Sequence, residues 1–202
     1  MKLEKKRVYY HLCCVGRWKE IFYPMIDRLN PDWEVHVVSV GPDRPFPSSK
    51  YILRRCIDDV SRFERPTLEL IQRDKYKGPF LYLHSKGVTK KNKVLQRNVA
   101  SWVEYMLHFL VDKSDECMFH LENGWGAVGV NLRTDPKLHF SGNFWWSTGE
   151  HVCKLGKISF DYHGPEMWIG QSGRLKSVWQ SGVDHYRVDY CKKFYGHRVQ
   201  IL

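Results

Sequence analysis

The chain lacks any run of about 18 apolar residues, so a membrane-spanning helix is not expected among its 202 residues. It lacks the apolar core and small-residue cleavage site of a secretory leader. Met1–Arg7 is charged and leads straight into a strand-like segment, so the expected location is cytoplasmic. Six cysteines stand at 13, 14, 56, 117, 153 and 191 with no C-x-x-C spacing, which gives no zinc signal. Cys13 and Cys14 are neighbours in a strand and face opposite ways, so they cannot pair. Buried free thiols are expected rather than a disulfide scaffold. No G-x-G-x-x-G, P-loop, G-x-S-x-G or H-E-x-x-H pattern occurs, so those dinucleotide, nucleotide, hydrolase and metalloprotease sites are not signalled.

Composition is that of a packed globular protein, 43% hydrophobic and 27% charged. The length fits one domain over 1–202, which could itself be cut from a longer chain. Lys and Arg exceed Asp and Glu by 32 to 22, a net charge of +10, which favours an anionic partner. The excess is scattered, apart from Lys2–Arg7 and Lys86–Lys93. A nucleic acid is therefore a weaker expectation than phosphate on a small ligand.

Hydrophobic periodicity predicts alternating elements. Strands are expected at Arg7–Val15, Trp33–Val40, Phe80–His84, Trp125–Leu132 and Leu175–Gln180, with a short one at Tyr51–Leu53. Helices are expected at Trp18–Leu29, from Arg65 to before Lys77, over Gln96–Lys113, from Ser114 to Glu122, and from a Ser147–Glu150 capping box to Leu155. His139–Trp146 looks extended but interrupted at Gly142. Strand–helix alternation implies an α/β fold, a mostly parallel central sheet flanked by helices. Such sheets bind ligands beyond the carboxyl ends of their strands, here the loops after Val15, Val40 and His84.

Four segments carry candidate chemistry. His84-Ser85-Lys86-Gly87 follows a strand directly, so Lys86 could neutralise phosphate and Gly87 could admit close backbone approach; a basic surface turn reads the same way. In His139-Phe140-Ser141-Gly142-Asn143-Phe144-Trp145-Trp146, rings and small polar groups could wall a sugar, or be a buried edge strand. Glu166, in Asp161–Trp168, could be a general base or a carboxylate at a helix start. Asp58-Asp59 could contact a metal, ribose or base, or cap a helix.

At these motifs the sequence resembles a group of bacterial and large-DNA-virus glycosyltransferases with the GT-A nucleotide-diphospho-sugar transferase fold. The resemblance rests on Tyr10-His11, Trp18–Ile21, Leu81–Val88, Trp102 and Met106, Ala127–Asn131, His139–Trp146 and Glu166–Gly170, in order over roughly residues 8 to 170. It implies transfer of a sugar from a UDP- or GDP-linked donor to a hydroxyl of a glycan or glycoprotein. The implied roles are diphosphate binding at His84, Ser85, Lys86 and Gly87, and nucleoside binding at Asp58 and Asp59. Sugar or acceptor binding would fall to His139, Ser141, Gly142, Asn143, Phe144, Trp145 and Trp146. Glu166 would be the base of an inverting displacement. Many such enzymes hold Mn²⁺ or Mg²⁺ through Asp-x-Asp after the strand corresponding to Phe80–Leu83. Here His84-Ser85-Lys86 stands there instead, so either Lys86 with Lys90 or Lys91 supplies the charge, or Asp58 or Asp59 binds a metal. A catalytically inactive glycan- or nucleotide-binding module is the alternative.

Overall fold

A computed structural model describes residues 5–195. Seven strands form one sheet: β1 (Arg7–Cys13), β2 (Glu34–Val40), β3 (Ile52–Ile57), β4 (Pro79–His84), β5 (Ala127–Val130), β8 (Trp145–Thr148) and β9 (Leu175–Trp179). Their order is β3-β2-β1-β4-β8-β5-β9. All neighbours pair in parallel except at β8, which runs antiparallel to both β4 and β5. Two short strands, β6 (Leu132–Arg133) and β7 (His139–Phe140), pair separately.

Both sheet faces are covered, so the strands read as near-continuous apolar runs. Val8, Tyr10 and Leu12 of β1, with Leu81 and Leu83 of β4, enter one hydrophobic cluster. The helices α1 (Trp18–Arg28), α3 (Lys93–Leu107) and α4 (Ser114–Glu122) pack there through Trp18, Phe22, Trp102, Met106 and Met118. Tyr9, Phe80 and Tyr82 point the other way. They meet α2 (Arg65–Asp74), α5 (Gly149–Val152) and α6 (Gly164–Trp168) through Leu68, Ile71, Val152 and Trp168. The period of two along each strand thus builds two cores from one sheet.

The chain winds β1, β2, β3 outward in one direction, then returns to lay β4 on the other side of β1. That reversal opens a crevice at the carboxyl ends of β1 and β4. Two loops are clasped there: Arg17 N donates to Val88 O at 3.1 Å. Gly16 has φ of +57°, and a Cβ on it would lie 2.3 Å from Val88 O, so this approach requires glycine.

Several expectations shift. The strand at Tyr51 runs on to Ile57, and the long helix ends as α at Leu107, continuing as a π turn over His108–Asp112. The strand expected over Trp125–Leu132 breaks at Asn131, whose φ is +52°. The helix after β8 is one short turn capped by Thr148, which accepts from His151 N. The six cysteines are free, but Cys56 and Cys153 are exposed rather than buried. Among the described residues no helix is long and apolar enough to cross a membrane.

The largest correction concerns Phe144, Trp145 and Trp146. All three are fully buried, and β8 sends Trp145 into one core and Trp146 into the other. Trp145 stacks on Tyr82 at 4.9 Å and donates Nε1 to Asn143 Oδ1 at 2.9 Å. Trp146 donates to Leu110 O at 2.6 Å. These rings hold the sheet together and wall no sugar. Trp145→Ala is accordingly expected to cost about 3–5 kcal/mol of stability, seen as a lowered urea midpoint with no ligand present. An unchanged midpoint would return the ring to a surface role.

Candidate functional site

A cleft of about 430 Å³ occupies the crevice. That is the size range of sites for small organic ligands. The ends of β1 and β2 contribute His11, Cys13, Val15 and Val40; the stretch after β3 adds Val60, Phe63 and Glu64. The turn after β4 supplies His84 through Lys90, and Asn143 enters from the residues before β8. Tyr162, His163, Pro165 and Glu166 close the cleft from the α6 side, and Tyr186 from beyond β9. The strand ends at Val15, Val40 and His84 therefore meet at one place, and of the three loops expected there only the one after His84 lines the cleft.

Lys86 and Lys90 both line the cleft. The Lys86 ammonium lies 4.1 Å from the centroid of Trp102, a cation–π contact that anchors the stem. Burial pushes its pKa below the usual lysine value; the Glu166 and Glu64 carboxylates oppose that, and Lys90 adds to it. Glu166 sits in the first turn of α6, partly exposed, with His163 Nδ1 at 3.8 Å from Oε2. A cation and a carboxylate 80 residues apart in sequence thus share one cavity. Ser85 lines it too, its hydroxyl 3.4 Å from that of Tyr10. Gly87 lines the cleft with φ of +89°, a conformation that favours glycine, and a Cβ there would also meet Val99 Cγ1 at 2.8 Å.

The floor is a polar network that sequence patterns did not single out. Glu64, just before α2, accepts from Asn143 Nδ2 at 2.5 Å and from Tyr82 OH at 3.1 Å. Its other oxygen lies 3.4 Å from His84 Nδ1. His84 Nε2 donates to Gly142 O at 3.0 Å, since a carbonyl can only accept. His84 lines the cleft with Nε2 committed to the Gly142 carbonyl, and in the neutral ring Nδ1 is an acceptor that makes no hydrogen bond to the Glu64 carboxylate. His11 pairs in register with His84 and contacts Thr67 Oγ1 at 3.0 Å. Nothing in the local sequence marked Glu64. Phe63-Glu64-Arg65-Pro66 reads as an ordinary charged helix start, and the partners lie 18 to 79 residues away.

Other expected residues lie elsewhere. Asp59 caps the 3₁₀ turn Val60–Arg62, accepting from Ser61 N at 2.9 Å. Asp58 is exposed and paired with Arg44. Neither lines the cleft, so the nucleoside and metal roles are not supported at this pair. His139 donates Nδ1 to Lys137 O at 2.8 Å from the β6–β7 hairpin, and Ser141 N bonds Asn131 O. Both are outside the cleft. Of the HFSGNFWW segment only Asn143 lines it, while Gly142 contributes its carbonyl to His84.

The residues present do not fit a divalent cation. Among the described residues no group of three or more His, Cys, Asp or Glu side chains could hold one. The turn after β4 presents an ammonium, and His84 Nε2 is taken by the Gly142 carbonyl.

Burial lowers the pKa of His84 to about 3 and those of His11 and His185 to about 4. These side chains are neutral when folded but protonate near 6.5 when unfolded. The unfolded chain thus binds more protons below that value, so stability falls as pH drops from 6.5 towards 4. Each histidine contributes a slope approaching about 1.4 kcal/mol per pH unit. The urea midpoint should fall between pH 7.5 and 5, and by less in His185→Gln. A midpoint independent of pH would contradict the burial of these rings as neutral groups.

Comparison with known protein families, with curated proteins and with solved structures found no match.

Proposed function

We propose that the chain is a glycosyltransferase of the GT-A kind, moving a sugar from a nucleoside-diphosphate donor to an acceptor hydroxyl. The observation that carries this reading is the joint placement of Lys86 and Glu166 in one cleft at the switch in strand order. The donor diphosphate lies against Ser85 and Lys86, with Lys90 behind. The base rests on the apolar shelf of Val15, Val40 and Val60. The sugar points towards Glu64 and Glu166.

Glu166 is the better base of the two carboxylates. Glu64 already accepts two hydrogen bonds at one oxygen, which turns that oxygen into the floor rather than towards an acceptor hydroxyl. Glu166 has only His163 at 3.8 Å. The acceptor oxygen attacks the anomeric carbon and gives its proton to Glu166. The bond from that carbon to the phosphate oxygen breaks, and the nucleoside diphosphate leaves with the electron pair. Lys86 and Lys90 meet the negative charge that grows on the leaving group. A single base on one side suits inversion.

The test is release of UDP or GDP from a panel of nucleotide sugars, with and without added Mn²⁺ and with simple glycosides as acceptors. Acceptor-dependent release without Mn²⁺ is expected. Nucleotide-sugar binding with no release under any condition would make the chain a binding module instead.

A further inference from the structure

The segment between α5 and α6 exposes two large rings that no core requires. Phe160 is 87% exposed and Tyr162 69%, while Phe63 across the cleft mouth is 40% exposed. Phe63 and Tyr162 meet edge to face at 5.2 Å. Exposed rings on a floppy loop would mean little, but this loop is built rigidly. Buried Arg65 spends its guanidinium on it: Nε donates to Ser159 O at 3.1 Å, and one Nη donates to Phe160 O and to Asp161 O. The same guanidinium lies 5.5 Å from the Phe160 ring and 5.8 Å from the Phe63 ring. Gly164 N closes the loop onto Asp161 O at 2.9 Å. Phe63 is itself held at φ of +46°, a conformation that costs a bulky residue about 1–3 kcal/mol and persists where its surroundings impose it. A buried cation and a strained backbone therefore serve to present rings to solvent.

We infer that Phe160, Tyr162 and Phe63 form a stacking platform for a pyranose ring of a glycan at the cleft mouth. The inference deepens the transferase reading and rests on it only for calling that glycan the acceptor. Three features select this occupant. The platform is continuous with the cleft through Tyr162, Phe63 and His163, so whatever lies on it reaches Glu166, four residues beyond Tyr162. Its few rings suit one or two sugar units, whereas a stable protein interface needs roughly 800 Å² per partner. Beside the rings stand exposed polar side chains, Ser159 and Asp161, joined by a hydrogen bond from Ser159 Oγ to Asp161 Oδ2 at 2.7 Å, which leaves the other carboxylate oxygen for a sugar hydroxyl. Fixing the loop beforehand removes its ordering cost on binding.

The test measures binding of the full chain to cello-, chito-, manno- and galacto-tetraose, and separately to UDP and GDP. It compares the unaltered chain with Phe160→Ala, with Tyr162→Ala and with the double variant. Phe46→Ala, an exposed ring that does not line the cleft, is the control. At least one tetraose should bind, weakening tenfold or more in the double variant and not in the control, while nucleotide affinity stays within twofold in Phe160→Ala, whose ring does not line the cleft. Binding of no tetraose, or equal binding by the double variant, would overturn the platform. So would loss of UDP or GDP affinity in its place, which would assign the rings to the donor base. Ring-dependent tetraose binding in a chain that never releases nucleotide would keep the platform as a glycan site and remove the transferase reading.

Discussion

Glu166→Gln is expected to lower sugar transfer by about 100-fold or more, the range a positioned general base contributes, while nucleotide affinity stays within a few-fold. The substitution is nearly isosteric and Glu166 is partly exposed, so the fold should not suffer. The amide cannot take a proton, yet it still fills the space beside His163. The contrast with Glu64 sharpens this result. Glu64→Ala removes the oxygen that Asn143 Nδ2 and Tyr82 OH share, so it should disturb the floor and lower stability as well as activity. A Glu166→Gln chain that transfers sugar at the full rate would remove this carboxylate from the chemistry.

Lys86→Met should weaken UDP or GDP binding roughly 10- to 150-fold, the value of a hydrogen bond to a charged group. Methionine keeps an apolar stem against Trp102, so packing is largely conserved and the change reports the charge. The pH dependence gives a second signature. Because burial lowers the pKa of Lys86, its ammonium is lost at lower pH than that of an exposed lysine. Nucleotide affinity of the unaltered chain should thus decline as pH rises through that lowered value. Lys86→Met should lack this decline. Equal affinities in the two chains would place the diphosphate away from this turn.

Local patterns revealed the sheet and much of the cleft's position. Strands such as Phe80–His84 are short apolar runs ending in polar residues, and such runs place their polar tips at one sheet edge. The mistaken aromatic wall shows where such reasoning stops. Alternation in β8 buries both faces only because helices cover both sides of the sheet, and segment composition cannot distinguish a doubly covered strand from an exposed one. Glu64 was invisible for the converse reason: its role comes from Tyr82, His84 and Asn143, which only the chain's return beside β1 brings to it. Asp58 and Asp59 were ambiguous between cap and ligand, and Asp59 makes the local bond to Ser61. Arg65 likewise reads as a helix start, and only tertiary structure shows it gripping the Ser159–Asp161 carbonyls.

The most direct test of the account is a crystal structure with UDP or GDP bound. The diphosphate should lie within hydrogen-bond distance of the Lys86 ammonium and the base over Val15 and Val40, with open space between the phosphate and Glu166 for a sugar. A nucleotide bound outside this cleft, or one whose phosphates point away from Lys86, would contradict it.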